Sequence, residues 1–573
     1  MNIDRSMPAT GATATGAAGA GKDGAVESVA VGATAPASLL SLTEAVLDLT
    51  LGYLDSGGLA ACIETCRVFG LAAQRVDDLW RDKCLEDWGE ERKVRPQQRS
   101  EVLPTFLESW RAWRRAFNRY SAADVKRVAV WWAAVEEWMS QNLPEVMGTL
   151  NTGVSEEDLD QAERDLGWPL PTHLRLLYRF HNGQWLPWDE ALMDSMGFDK
   201  GRPQVLPEVV GSGKSLGLLG GYCHYDTMMT SRLFSLHRGV AGGVVMVKAF
   251  AGESQRYFQA SANRWGTDLD TIRARGGFLL AAAPDMSKRT WVGRDGNVRF
   301  DGQGGSLMGV FDAAPVTAPS PRSDAALGSG GGGNLMAWLE EYLRRLQCGH
   351  YGVRSKWRES VQLPGEEVRE SRLLRGVWLF PREGGEGCVT DITKGVEIQV
   401  APVFLPEECQ HRKNLLWAYT VRMRLLRDHP SRPPAMSSCQ LSTRQWDIKG
   451  PDGYRYNCSS EETVSGAGVI GKYPLLRVAA PPTGNVPGNA SGDLHMDDSA
   501  DEGFFEYESR IPLKGAPGWV RSLTKRISHP PLCLAGTMGG HFSFTPGDRF
   551  SPTGRSFNAR VPTFDLVLPA FMF

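Results

Sequence analysis

The last third of the chain alternates apolar and polar residues, and this pattern constrains the fold more than any other feature. Val396, Ile398 and Val400 are each separated by one polar residue. A period of two residues places the apolar side chains of each strand on one face, which packs toward a core. Similar strand-like runs follow at 419–423, 441–448, 504–511, 541–545 and 557–568. Many short strands separated by glycine and proline predict a β-sandwich.

The first part of the chain has the helical period instead. Between Ser38 and Trp88, Ser41 and Glu44 have the spacing of a capping box ahead of an apolar run. A break at 55–58 separates this run from a second apolar cluster. A third segment carries apolar residues at steps of four, at Val76, Trp80, Cys84 and Trp88. The pattern predicts three short helices, followed by a helix with an aromatic stripe that packs on them or bridges them to the next domain.

This helical unit carries more apolar side chains than its own interior needs, including Leu39, Leu40, Leu51 and Leu54. A unit of about fifty residues buries little of its own surface, and contiguous exposed apolar surface marks a contact site. We therefore expect a partner protein to cover these leucines. The alternative interpretation is a helical hairpin that caps the following domain.

The same stretch resembles the F-box family. The matching landmarks occur in the family's order: Leu42-Thr43-Glu44, Tyr53-Leu54-Asp55, Leu59, Cys66-Arg67-Val68-Phe69 and Leu79-Trp80-Arg81-Asp82-Lys83-Cys84. The resemblance implies docking onto a Skp-type adaptor and, through it, a cullin of a ubiquitin ligase. The residues expected to bind the adaptor are Leu42, Leu51, Leu54, Leu59, Ile63 and Phe69.

The middle of the chain predicts an α+β domain. Ser155 and the three acidic residues after it cap one helix, and Pro171 suits the first turn of the next, which stops at Asn182-Gly183. Predicted strands follow at Leu216–Leu219, Gly243–Phe250 and Arg256–Gln259. The region resembles the SUKH (Smi/Knr-like) superfamily through Gly153-Val154-Ser155, Leu166-Gly167, Leu170-Pro171, His181-Asn182-Gly183 and Leu218-Leu219-Gly220-Gly221-Tyr222. The resemblance implies a protein-binding surface without catalytic residues.

The C-terminal region resembles the ApaG family. The landmarks are Trp417–Arg422, Leu441–Trp446, Gly466–Gly471, Pro474, Phe505-Glu506-Tyr507, Gly536-Thr537-Met538 and Val561–Phe564. The resemblance implies an immunoglobulin/fibronectin-like all-β sandwich that can bind a target protein.

The sequence therefore predicts a multidomain α+β protein. Residues 1–37 contain almost no large apolar side chain, which predicts a disordered tail, and the run of glycines at 328–333 predicts a linker. The predicted order is a tail (1–37), the F-box and following helix (38–120), the SUKH domain (121–312), a flexible linker (313–334), a helical connector (335–394) and the ApaG domain (395–573) with an insertion (481–503).

Composition restricts the classes of partner. Lys plus Arg (63) nearly balances Asp plus Glu (66), so that a formal charge of -3 offers no general field for nucleic acid. The ten cysteines form no Cys-x-x-Cys pair, which argues against a disulfide framework or a zinc site. We expect a reduced protein of the cytoplasm, the nucleus or both, with no membrane partner, metal or cofactor.

Two glycine motifs resemble phosphate- or nucleotide-binding sequences. Gly211-Ser212-Gly213-Lys214-Ser215 ends like a P-loop, but Glu208 stands where a P-loop requires glycine. Gly466, Gly468 and Gly471 match a dinucleotide fingerprint without the βαβ unit that such a site needs. Resemblance to ApaG implies an anion-binding loop at these glycines, and tight turns between strands are the alternative interpretation.

The three resemblances in this order predict a non-catalytic substrate receptor of a Skp-cullin-F-box ubiquitin ligase. Its F-box would bind the adaptor, and its SUKH and ApaG regions would bind a target protein. No His-Glu-x-x-His motif, paired carboxylates or nucleophile elbow is present, so we expect no catalytic residues. The alternatives are a protein whose ApaG domain binds phosphate or a small ligand, and a scaffold that works without a ligase.

Overall fold

The computed structural model describes the chain in segments that fall into two compact units, 1–76 and 77–573. The described residues are 51–65, 77–96, 98–185, 217–224, 227–251, 277–283, 288–302, 311–312, 334–358, 372–381, 387–409, 415–450, 453–459, 473–478, 504–513 and 533–573. In the first unit, helix α1 spans Ser56–Thr65. Asp55 Oδ1 accepts the backbone N–H of Gly58 at 2.7 Å, which caps the start of α1.

The described α-helices of the second unit all precede residue 348. They are α2 (Asp77–Trp88), α3 (Phe106–Ala116), α4 (Ala122–Asn142), α5 (Pro144–Met147), α6 (Glu156–Leu166), α7 (Thr172–Phe180), α8 (Leu236–Ala251) and α9 (Leu335–Gln347). Across the described residues, no helix is both long enough and apolar enough to span a membrane.

Helices α2 and α3 pack through tryptophans. The ring centroids of Trp80 and Trp110 are 5.1 Å apart, and those of Trp88 and Trp113 are 6.0 Å apart. Trp110 Nε1 also donates to Asp87 Oδ2 at 2.9 Å. The four-residue spacing predicted α2, and the aromatic stripe predicted α3, so both predictions are confirmed. Both helices belong to the second compact unit.

The ends of α6 and α7 follow local sequence signals. Ser155 Oγ accepts the N–H of Asp158 and the Asp158 carboxylate accepts the N–H of Ser155, a reciprocal cap at the start of α6. Pro171 lies one position before α7, at its N-cap. The predicted helices are therefore confirmed, with a shift of one residue at Pro171.

The strands of the middle region form two larger sheets and two short pairs. The strands are β1 (Val94–Arg95), β2 (Gln98–Val102), β3 (Leu150–Thr152), β4 (His181–Gln184), β5 (Gly221–His224), β6 (Thr227–Thr230), β7 (Arg232–Leu233), β8 (Gly277–Ala282), β9 (Lys288–Gly293), β10 (Val298–Gly302), β11 (Phe311–Asp312), β12 (Gly352–Arg358) and β13 (Arg372–Trp378). The sheet orders are β11-β10-β9-β8-β7 and β12-β13-β5-β6, and the pairs are β1-β2 and β3-β4.

Two of the three strand predictions for this region are wrong. Gly243–Phe250 lies in helix α8, because its glycines bring a helix rich in β-branched residues close to the sheet. A Cβ on Gly239, one turn earlier, would lie 2.0 Å from the ring of Phe278 in β8. Residues 217–220 form a turn that precedes β5, and Gly220 has φ +71°. The third predicted strand, Arg256–Gln259, lies outside the described residues.

The predicted helical connector, residues 335–394, is helical only in α9. The rest of its described part contains β12, β13 and a further strand, β14 (Val389–Thr393). Strand β12 pairs with β13, and β13 runs parallel to β5 at Trp378 and Gly221. The prediction is wrong there because this pairing joins segments that are far apart in the chain, so no local period reveals it.

The C-terminal region is an all-β sandwich, as predicted. Its remaining strands are β15 (Val396–Phe404), β16 (Leu415–Leu425), β17 (Ser438–Lys449), β18 (Arg455–Ser459), β19 (Leu475–Arg477), β20 (Phe505–Leu513), β21 (Cys533–Pro546) and β22 (Phe557–Leu568). One sheet has the order β14-β15-β16-β20, and the other has β18-β17-β21-β22 with β19 also paired to β17.

Aromatic residues fill the space between the two sheets. Trp446 of β17 contacts Tyr419 at 5.5 Å, Phe542 at 5.4 Å and Phe564 at 6.4 Å between ring centroids. These four side chains are buried. A shared aromatic core of this kind makes the two sheets one domain.

Candidate functional site

The predicted adaptor-binding residues differ in exposure. Leu51 and Leu59 are fully buried, whereas Leu54 and Ile63 keep part of their surface accessible. Tyr53, which the prediction did not include, is 85% exposed. The other two predicted residues, Leu42 and Phe69, lie outside the described residues. Tyr53, Leu54 and Ile63 are therefore the described apolar side chains of this segment that a partner can reach directly.

The predicted anion-binding glycines, Gly466, Gly468 and Gly471, also lie outside the described residues, as does the P-loop-like run 211–215. The description resumes at Tyr473, whose φ is +39°. Arg549 stacks on the Tyr473 ring at 3.8 Å from its centroid. Within the described segments, no group of three or more His, Cys, Asp or Glu side chains is placed to hold a metal ion.

Residues Met572 and Phe573 join the sandwich to the middle region. The ring of Phe573 stacks on Trp338 of α9 at 5.5 Å, and it contacts the rings of Tyr342 and Tyr351. Trp338 Nε1 donates to the backbone oxygen of Met572. Both Met572 and Phe573 are buried. An aromatic side chain held on several sides in this way ties the two regions together.

Lys288 is the polar centre of this contact. Its Nζ donates to the backbone oxygen of Phe573 at 2.6 Å, and it lies over the rings of Tyr222 and Phe300 at 4.8 and 5.2 Å. Lys288 is only 1% exposed. Loss of hydration disfavours the ammonium form, so burial lowers the pKa of Lys288 to about 7.

A second polar contact links β12 to the outer face of the sandwich. Arg354 Nη1 lies 2.6 Å from Glu506 Oε1, and Arg422 Nε lies 3.3 Å from Glu506 Oε2. Thr420 Oγ1 donates to the same Glu506 carboxylate at 3.3 Å. These side chains are largely removed from solvent, so the attraction between the opposite charges is weakly screened.

Glu407 is a buried acid in the short 3-10 helix Pro406–Glu408 that follows β15. Among the described residues, its side-chain oxygens have no hydrogen-bond partner apart from its own backbone N–H. Burial raises the pKa of Glu407 to about 8, so the side chain is largely uncharged at neutral pH. Neighbouring Glu408 instead pairs with Arg510 at 2.9 Å.

Sequence reasoning missed Lys288, Phe573 and Glu407. A lone lysine inside a strand and a glutamate after a proline are ordinary surface patterns, so nothing in the sequence marked them as buried. The apolar run Phe571-Met572-Phe573 was the one available signal, because an exposed run of that kind is uncommon.

Together, the fold and these contacts define a multidomain α+β protein whose C-terminal region is an all-β sandwich. The ApaG domain family model (DUF525) matches residues 406–481. The predicted fold class and the predicted resemblance to ApaG are confirmed.

The chain is homologous to F-box proteins over most of its length. It is 28% identical over 505 residues to F-box protein SKIP16 of Arabidopsis thaliana, covering 87% of this chain and 91% of that protein. It is 24% identical over 450 residues to F-box only protein 3 of Homo sapiens, covering 77% of this chain and 74% of that protein. The predicted resemblance to F-box proteins is confirmed.

A shorter similarity supports the predicted resemblance to the Smi/Knr-like proteins. The chain is 41% identical over 54 residues to KNR4/SMI1 homolog 2 of Debaryomyces hansenii, which is 9% of each chain. The predicted resemblance to the Smi/Knr-like proteins is therefore confirmed over that short segment.

Proposed function

We propose that this protein is the substrate-recognition subunit of a Skp-cullin-F-box ubiquitin ligase. Its F-box binds a Skp-type adaptor, its middle and ApaG domains bind a target protein, and it performs no covalent chemistry itself. Tethering a target beside the ligase raises the effective concentration of its lysines near the charged enzyme, and this proximity is the mechanism. The proposal locates the protein in the cytoplasm, the nucleus or both.

The observation that carries the proposal is the extent of the homology. An Arabidopsis protein and a human protein, both named as F-box proteins, align with this chain over 505 and 450 residues. A similarity confined to the ApaG domain would have favoured a ligand-binding protein instead. Alignment over most of the chain with both a plant and an animal relative supports one role for the whole chain.

The exposed apolar residues of the first unit support the adaptor contact. Tyr53 is largely exposed and Leu54 is partly exposed just before α1, and Ile63 is partly exposed in its last turn. A few side chains that become fully buried in a complex carry most of the binding energy, and tyrosine is enriched among them. Leu51 and Leu59 support α1 from within, so their effect on adaptor binding would be indirect.

The test is copurification of a Skp-type adaptor and a cullin with the tagged full-length chain. The variant Tyr53→Asp with Leu54→Asp and Ile63→Asp should lose the adaptor, because each charge would have to be buried in the contact. Val102→Asp is the matched control, since Val102 is also a strongly exposed apolar residue but lies in the second unit.

The control should retain the adaptor at the wild-type level. If the wild-type chain recovers neither adaptor nor cullin, the protein is not a ligase receptor, and a scaffold or a ligand-binding protein becomes the better description. If the triple variant recovers as much adaptor as the wild-type chain, the role of these residues is rejected.

A further inference from the structure

One end of the ApaG sandwich carries three connections that lie within the described residues, and we name these three connections the loop end. They are the β14–β15 turn (394–395), the β16–β17 connection (426–437) and the β21–β22 connection (547–556). Leu426 N–H donates to Gly395 O at 2.8 Å, and Gly547 N–H donates to Ser438 O at 2.9 Å. Strand β22 starts at the loop end and runs away from it toward Phe573, so the loop end is remote from the contact with the middle region.

Phe550 projects from the loop end and is 95% exposed. The backbone around it is held in place: Asp548 Oδ1 accepts the N–H groups of Phe550 at 2.8 Å and of Ser551 at 2.7 Å. Gln440 Oε1 accepts the N–H of Arg549 at 2.7 Å. Binding of a partner to this ring therefore costs little conformational entropy of the loop.

The charged side chains around Phe550 are mostly basic. Arg549 lies next to it and stacks on Tyr473, and Arg555 lies further along the same exposed connection. The acidic residue nearest in the chain, Asp548, is occupied by backbone N–H groups. The other basic residues at or beside the loop end are Lys394, Arg427, Arg432, Arg477 and Arg560, against Asp428. Among the described residues of the loop end, basic side chains therefore outnumber acidic ones, whereas the whole chain carries -3.

We infer that the loop end is a docking surface for an acidic segment of a partner protein. An apolar side chain of that segment would pack on Phe550, and its carboxylates would face Arg549, Arg555 and the neighbouring basic residues. Aromatic and arginine side chains together are the usual anchors of protein interfaces. The inference rests on the proposed function, in which this partner is the target protein.

Other classes of anionic partner fit this surface less well. Single-stranded nucleic acid is held by several aromatic rings in succession, and Phe550 is the one strongly exposed large apolar side chain among the described residues of the loop end. A membrane surface needs a broader apolar face than one ring provides.

The test is fluorescence anisotropy with the full-length chain and a short labelled peptide in which one leucine is flanked by aspartate and glutamate. The wild-type chain should bind this peptide, and binding should weaken as salt is raised. Phe550→Ser, and separately Arg549→Gln with Arg555→Gln, should each reduce affinity by roughly tenfold, which is typical of losing an interface anchor. A peptide with asparagine and glutamine in place of the acids should bind more weakly by a similar factor.

Two variants at the opposite end of the sandwich serve as matched controls. Tyr454→Ser removes another exposed aromatic ring, and Arg455→Gln removes another exposed arginine, both just after β17. Neither should change peptide affinity. Equal losses at both ends, unchanged affinity in Phe550→Ser, or no binding by the wild-type chain would overturn the inference. Tighter binding of oligouridylate or of phosphatidylserine vesicles than of the peptide would overturn it as well.

Adaptor copurification on the same variants separates the two proposals. Phe550→Ser should retain the adaptor, because the loop end lies in the ApaG domain. If the wild-type chain binds the adaptor but not the peptide, the docking surface is refuted and the ligase role is not. A chain that binds the peptide through Phe550 but recovers no adaptor refutes the ligase role and leaves the peptide-binding surface without that context.

Discussion

Lys288 Nζ donates a hydrogen bond to the backbone oxygen of Phe573 at 2.6 Å, inside a group of aromatic rings. Lys288 begins β9 of the middle region, and Phe573 follows the last strand of the sandwich. The pair is fully removed from solvent and is surrounded by Tyr222, Phe300 and Trp338. This contact holds two domains that the sequence alone describes as separate.

Phe573→Ala should destabilise the second unit by about 3–5 kcal/mol, the usual cost of removing a buried phenylalanine ring. The urea midpoint of unfolding measures this change. Phe550→Ala is the control, because its ring is exposed, and it should shift stability by no more than about 0.5 kcal/mol. Similar midpoints for the two variants would show that the Phe573 contact does not contribute to stability.

Lys288→Met should alter how stability depends on pH. Burial lowers the pKa of Lys288 from 10.5 to about 7, so between these values the unfolded chain binds a proton that the folded chain does not. The wild-type free energy of unfolding therefore gains up to about 1.4 kcal/mol per pH unit from this group as pH rises from 7 to 10.5. The variant lacks this gain.

The measurement is urea unfolding of both proteins across that pH range, and the difference between them isolates Lys288 from other titrating groups. Lys449→Met, a change at an exposed lysine, should reproduce the wild-type slope. A difference between wild type and Lys288→Met that stays constant with pH would contradict the lowered pKa.

Glu407→Gln should have the opposite pH signature. Burial raises the pKa of Glu407 from 4.5 to about 8, so the folded chain holds a proton that the unfolded chain releases between these values. The wild-type chain therefore loses stability from this group as pH rises from 4.5 to 8. Unfolding measured at pH 5 and at pH 8 should show that Glu407→Gln gains stability relative to wild type at the higher pH. Glu408→Gln, beside it, should show no such gain.

Glu506→Gln should destabilise the second unit by about 3–5 kcal/mol, because it removes the carboxylate charge that Arg354 and Arg422 face in a largely buried contact. Chemical unfolding measures the loss. The control removes an exposed pair, Arg81 with Asp78, whose side chains are 49% and 84% accessible. Asp78→Asn should cost less than about 1 kcal/mol. Equal effects would mean that the Glu506 contact behaves like a surface pair.

Local signals in the sequence predicted most of the regular elements. The capping pattern at Ser155 located α6, and four-residue apolar spacing located α2. The run 557–568 coincides with β22. Such elements are predictable because a cap or a hydrophobic period acts between residues that are neighbours in the chain.

The errors occur where distant residues decide the outcome. Gly243–Phe250 has the composition of a strand, yet it is helical because its glycines let α8 approach β8. The sequence also could not predict which adaptor residues are exposed. Leu51 and Leu59 are buried and Leu54 is accessible, although all three are leucines. Burial depends on what packs against a side chain, and that information is not local.

The sequence by itself determined the helix cap at Ser155, most strands of the ApaG sandwich and the resemblance to F-box proteins. These properties depend on residue type and on spacing along the chain. Tertiary structure alone decided that β13 pairs with β5, that Phe573 reaches Lys288, and that Phe550 stands exposed among arginines. Each of these depends on which distant segments fold together, because burial and proximity change both the energy and the pKa of the same side chain.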